Sequence, residues 1–110
     1  MAGLQAYLNG LEDAIDVGVD IGADLIVDLA QQIAPVDEGD FKASIEKRDG
    51  ATKGERQVVA GGPAAPHGIH VEYGTIHSPA QPTLTPASAA IDVDQEIAAQ
   101  LDALARKSGL

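Results

Sequence analysis

A chain of 110 residues with one Phe, two Tyr and no Trp has room for one domain, 1–110, whose thin aliphatic core makes self-association a natural expectation. Cysteine is absent, which excludes disulfides and thiolate metal sites, and no apolar run approaches the ~20 residues that span a bilayer. Seven Lys and Arg against 17 Asp and Glu leave a formal net charge of -10, which argues against a sequence-reading DNA binder and leaves room only for a protein that DNA passes without sticking.

The opening MAGLQAYLNGLEDAID has no basic n-region and meets acids early, so it does not read as a secretory signal, and the expected compartment is the cytoplasm. Leu4, Leu8, Leu11, Ile15, Val19, Leu25, Ile26, Leu29 and Ile33 recur at spacings of three and four, predicting one amphipathic helix over 4–33. Pro35 stops it and restricts Ala34. Gly18 and Gly22 lie inside the pattern at about 1 kcal/mol each relative to alanine, and read as a close-packing notch or a soft point rather than a break.

The same helix carries Glu12, Asp16, Asp20, Asp24 and Asp28, each four residues from the next. Like charges at that spacing repel mildly, and no Lys or Arg precedes Lys42 to offset them. The stripe is either a solvated outer face or an acidic wall turned to a channel or a basic partner.

Pro35, Asp37 and Gly39 are turn residues. A strand is predicted over 43–48, then the hairpin loop DGATKGE, then a partner strand over 56–60. Gly61, Gly62, Pro63 and Pro66 form an irregular link, and 68–73 alternates as a strand should, with Ile69, Val71 and Tyr73 on one face and His70 and Glu72 on the other. Gly74 ends that strand. Pro79, Pro82 and Pro86 stiffen an extended loop over 76–86. Thr85-Pro86 has the form of an N-cap and first helical residue, opening a helix over 86–107 that closes with Arg106, Lys107 and Gly109. The fold class is α+β: a long N-terminal helix, a small antiparallel sheet of three to four strands, a proline-rich loop and a C-terminal helix.

His67, His70 and His77 with Glu72 are the only cluster resembling metal ligands. Residues three apart on a strand point to opposite faces, and no third ligand has a defined spacing, so no metal is expected. Ser44, Ser78 and Ser88 lack a strained nucleophile turn, and the glycines at 61 and 62 precede prolines rather than a phosphate-binding helix start. Neither catalysis nor a cofactor is expected. Glu72-Tyr73-Gly74-Thr75 remains as a structural device, a glycine turn that fixes where the next loop departs.

Three segments, taken in order, resemble a known family. Ala34-Pro35-Val36-Asp37-Glu38-Gly39-Asp40-Phe41-Lys42-Ala43-Ser44-Ile45 is similar to the "aPvdtG-x-L-x-x-SI" signature that follows the long helix in head-to-tail joining proteins of long-tailed bacteriophages. Val71-Glu72-Tyr73-Gly74-Thr75 resembles their "yvEfGT" strand, and Pro79-Ala80-Gln81-Pro82-Thr83-Leu84-Thr85-Pro86-Ala87 their "pa-x-PFLrPA" loop. Thr83 stands where the family has an aromatic, and Thr85 where it has a basic residue. The tyrosine that often precedes the "vEfGT" strand is missing.

The resemblance implies a non-enzymatic virion protein of the neck, assembled in the host cytoplasm: a ring-forming head-tail connector or tail-completion subunit between portal and tail. Its partners would be copies of itself in a sixfold or twelvefold ring, neighbouring portal, adaptor, stopper or tail-tube proteins, and DNA that passes without specific binding; no membrane is involved. Glu72, Tyr73, Gly74, Thr75, Pro79, Pro82, Leu84 and Pro86 are the expected assembly surface, and the five acids the expected channel lining. The alternative is an acidic interaction module outside a virion, a DNA mimic or an inhibitor of a basic partner, which the acid stripe favours and the three motifs do not.

Overall fold

The computed structural model describes residues 2–33, 43–60, 68–72, 75–77 and 84–110. Helix α1 spans Ala2–Ile33, and its 32 residues at about 1.5 Å each give a rod that sets the long dimension of the 57 × 23 × 19 Å molecule. Its buried residues are Gly18, Val19, Gly22, Ala23, Ile26 and Ala30. They all lie beyond the helix midpoint, so the first half of the rod projects past the core.

The sheet begins with β1 (Glu46–Asp49) and β2 (Glu55–Val59), an antiparallel hairpin in which Lys47 opposes Val58 and Asp49 opposes Arg56. Its turn closes by Gly50 N–H donating to Glu55 O at 3.1 Å, and Gly54 takes a positive φ of 87°, which a side chain would resist. The strand predicted from 43 starts at Glu46 instead. Ala43 and Ser44 are helical, and Ile45 is committed to the core at 3% exposure, where Gln31 Nε2 donates to its carbonyl at 3.5 Å.

Strand β3 (Gly68–Glu72) pairs with β2, and β4 (Thr75–His77) pairs back onto β3, giving the order β1-β2-β3-β4 with every neighbour antiparallel. Residues 76 and 77, assigned to the extended loop from sequence, are therefore strand. Thr75 and Ile76 are β-branched, a residue type that suits a strand.

Helix α2 (Leu84–Ala90) and helix α3 (Val93–Lys107) follow. The helix predicted as continuous from 86 starts two residues earlier and is interrupted at Ile91-Asp92. Pro86 is tolerated as the third helical residue because first-turn amides have no intrahelical acceptor. Asp92 adopts an extended backbone (φ -93°, ψ 92°) and its carboxylate accepts from Gln95 N–H at 3.1 Å, which restarts the chain as α3 with Asp94 and Glu96 in the favourable first turn. Asp92→Ala is expected to cost about 1 kcal/mol, seen as a Tm lower by roughly 4 °C and faster amide exchange in the first turn of α3; an unchanged Tm would show that packing alone sets this boundary.

Helix α3 runs antiparallel along α1 on a line of glycines. A Cβ on Gly3 would lie 2.6 Å from Ser108 O, on Gly10 2.7 Å from Leu104 Cδ1, on Gly18 2.6 Å from Ile97 Cα, and on Gly22 2.9 Å from Val93 Cγ2. Gly18 and Gly22 are thus a packing notch, the first of the two sequence readings. The core between rod, sheet and C-terminal helices gathers Val19, Ala23, Ile26, Ala30, Ile45, Val58, Val71, Ala87, Val93 and Ile97.

Candidate functional site

Strand alternation places Lys47 and Asp49 of β1 on the same face as Arg56 and Val58 of β2. Val58 is buried in the core beneath α1, so this face carries its cations onto the acidic ladder of the helix. Arg56 forks onto Asp16, with Nη1 donating to Oδ1 at 2.8 Å and Nη2 to Oδ2 at 3.0 Å, while its Nε donates to Asp20 Oδ1 at 2.9 Å. Gly54 N–H adds a further donor to Asp16 Oδ1 at 2.8 Å. Lys47 Nζ reaches Asp20 at 2.7 Å and Asp24 at 2.9 Å, and at the outer end of the hairpin Lys53 pairs with Asp13.

The Arg56 side chain is 13% exposed and that of Asp16 22%, so this part of the ladder is shielded from water. Planar, two-pronged recognition of a carboxylate is the task guanidinium suits best. The Arg56 hydrogen bonds, followed by that of Gly54, hold the Asp16 carboxyl below its ordinary 3.8. Asp20 is lowered in the same direction, first by Lys47 and then by Arg56, against a cost from burial. Burial works to lower Lys47, but Asp20 and Asp24 together raise it above 10.5. Arg56 is raised as well, first by Asp16 and then by Asp20, again against burial.

Of the five acids singled out from sequence, Asp16, Asp20 and Asp24 meet sheet cations, whereas Glu12 and Asp28 make no ion pair with another described residue. Glu12, Asp24 and Asp28 are exposed; Asp16 and Asp20 are half-buried. Sequence inspection along the helix alone missed Arg56 and Lys47. The signal was present two elements later, in cations that alternate with Val58 on strands able to cover the acidic face.

The residues expected to mediate assembly are distributed differently. Glu72 and Thr75 are register partners at the β3–β4 turn. Leu84 starts α2, and Pro86 is exposed in its first turn. Tyr73, Gly74, Pro79 and Pro82 lie outside the described residues, as do the turn residues Pro35, Asp37 and Gly39. His70 and His77 are register partners on β3 and β4. Among the described residues no three His, Cys, Asp or Glu converge as a metal set, and no helix is long and apolar enough to cross a membrane.

A sequence model of the family described as "Bacteriophage HK97-gp10, putative tail-component" matches residues 1–74. That span runs from α1 to the end of β3 and contains the whole ladder with its cations. It holds the first of the three sequence motifs and all but Thr75 of the second; the proline loop lies beyond it. No curated protein and no solved structure matches the chain.

Proposed function

The chain belongs to the HK97-gp10-like family of bacteriophage tail components, and on that premise we propose that it is a ring-forming head-tail connector or tail-completion subunit joining the capsid portal to the tail around the DNA channel. A tail component is a part of the virion and works against other virion proteins. The observation that carries the reading is the family match over two-thirds of the chain, to which the 79–87 motif adds independent support from the remainder.

The structure supports a geometric role. The rod is locked to a small sheet by charge pairs, and Glu72, Tyr73, Gly74, Thr75, Pro79, Pro82, Leu84 and Pro86 are proposed as the assembly residues on the strength of their sequence motifs. Glu12 and Asp28, the exposed members of the ladder that make no ion pair with another described residue, are the acids available to keep passing DNA from sticking. No enzymatic step is part of this function. The rival reading, an acidic mimic of DNA, is weakened because Asp16 and Asp20 are already occupied within the molecule by Arg56 and Lys47.

The test is genetic. In a phage or inducible prophage that encodes the chain, deleting its gene is expected to leave DNA-filled heads and free tails as separate particles, with joining restored by the wild-type gene. Complementation by the Pro82→Ala/Pro86→Ala pair is expected to restore joining poorly, although the protein folds. Normally joined, infectious particles from the deletion would overturn the connector reading.

A further inference from the structure

The register of the sheet brings together two histidines that the linear sequence keeps apart. Val71 of β3 is fully buried in the core, so strand alternation places its neighbours His70 and Glu72 on the opposite, outer face. His77 of β4 is the register partner of His70, and Thr75 that of Glu72. His70 and His77 therefore share the outer face as a directly opposed pair. The spacing argument against a metal concerned residues three apart on one strand, and it does not reach two residues on neighbouring strands.

Directly opposed residues of an antiparallel pair hold their Cβ atoms about 4.5–5.5 Å apart. From that separation two imidazole nitrogens can converge on one ion at about 2.0–2.1 Å each. The sheet's cations among the described residues are engaged elsewhere. Lys47 and Arg56 meet the acids of α1, and Arg48, two strands from His70 in the same row, is held by Glu46 at 2.6 Å.

The adjoining row of the outer face is acidic. Glu55 of β2 is the register partner of Glu72, and like charges directly opposed on a sheet are unfavourable. The Glu55 carboxylate accepts from Thr52 N–H at 3.3 Å but makes no ion pair with another described residue. A cation held on the neighbouring histidine row offsets this repulsion. The donor type selects the ion, because imidazole suits zinc, nickel and copper, whereas magnesium and calcium take oxygen ligands.

We propose that His70 and His77 form a two-histidine site for a divalent transition-metal ion of the zinc, nickel and copper class, with water completing the coordination and the Glu55–Glu72 row supplying a negative field beside it. The site is open, so the ion exchanges with solution instead of being locked in as it is by four protein ligands. Its structural effect is local. Strand β4 has three residues and lies at the edge of the sheet with β3 as its one neighbour, and an ion shared by His70 and His77 clips it there. Nothing in this site depends on the virion role.

The test is calorimetric titration of the tag-free full chain with zinc chloride, nickel chloride or copper chloride alone. One ion per chain is expected, with copper bound more tightly than nickel or zinc. His70→Gln and His77→Gln should each weaken binding by roughly tenfold or more with the circular dichroism spectrum unchanged, and the double variant should lose little more than either single one, since one ion needs both rings. His67→Gln should bind as wild type does. Zinc should raise the wild-type Tm by several degrees and leave that of the His70 and His77 variants unmoved. No stoichiometric binding to the wild type, binding retained in His77→Gln, losses that simply add, or an equal loss in His67→Gln would each overturn the proposal while leaving the connector reading to its own genetic test.

Discussion

Gly18→Leu is expected to unfold or nearly unfold the protein, and Gly18→Ala to destabilise it by about 1–2 kcal/mol even though alanine is the better helix former. An added Cβ would sit 2.6 Å from Ile97 Cα, 2.8 Å from its Cγ1 and 2.9 Å from its backbone nitrogen. These contacts are largely main chain, which cannot rotate away, so α3 must move off α1. Overpacking of this kind costs about 1–3 kcal/mol per small increment of volume, against a propensity gain near 1 kcal/mol. Leucine multiplies the first quantity without changing the second.

Gly10 supplies the control. A Cβ there meets only the tip of Leu104, at 2.7 Å and 3.2 Å, and a leucine tip at a half-buried position turns aside. Gly10→Ala is therefore expected to be neutral or slightly stabilising, with the propensity gain retained. Thermal melts of the two alanine variants should move in opposite directions, by several degrees for Gly18→Ala at roughly 4 °C per kcal/mol. If both rise, the glycine line is a matter of backbone propensity and not of helix contact.

The sequence showed the rod, its end before Pro35, the β1–β2 hairpin and the glycine notch, because each rests on local periodicity or turn chemistry. The break between α2 and α3 was written there too, in Asp92 three residues ahead of Gln95, the spacing of a capping box. It was masked by apolar residues that stay in helical phase across it. What local reading could not supply was the partner of the acid ladder. Along the helix, Asp16, Asp20 and Asp24 have only one another, and the pattern resembles a solvated or channel-facing wall. Arg56 lies 36 to 40 residues away, and only the hairpin register that turns Lys47, Arg56 and Val58 to one face brings it there. The exposure of Leu4 and Leu8 was invisible for a similar reason: periodicity marks a face as apolar without saying where its cover stops.

Arg56→Ala is expected to lower stability by about 2–4 kcal/mol, the range for removing one partner of a shielded charge network and leaving the other behind. Arg56→Lys should recover little, because an ammonium cannot fork onto both oxygens of Asp16 while also reaching Asp20. Asp16→Asn, by contrast, keeps the shape and one acceptor, and combined with Arg56→Ala it should cost less than the sum of the two. The pH dependence follows from the directions of the shifts. Asp16 and Asp20 have folded values below their unfolded 3.8, so their contribution is complete above that value and is lost as pH falls through the folded ones. Lys47 is raised above 10.5, so its contribution is complete below that value and disappears at still higher pH. Stability should be flat between these limits and fall steeply below pH 4. In Arg56→Ala the acid limb should flatten, since the carboxylates then have less to lose on protonation. An acid limb as steep in the variant as in wild type would show that the network is not what locks the sheet to the rod.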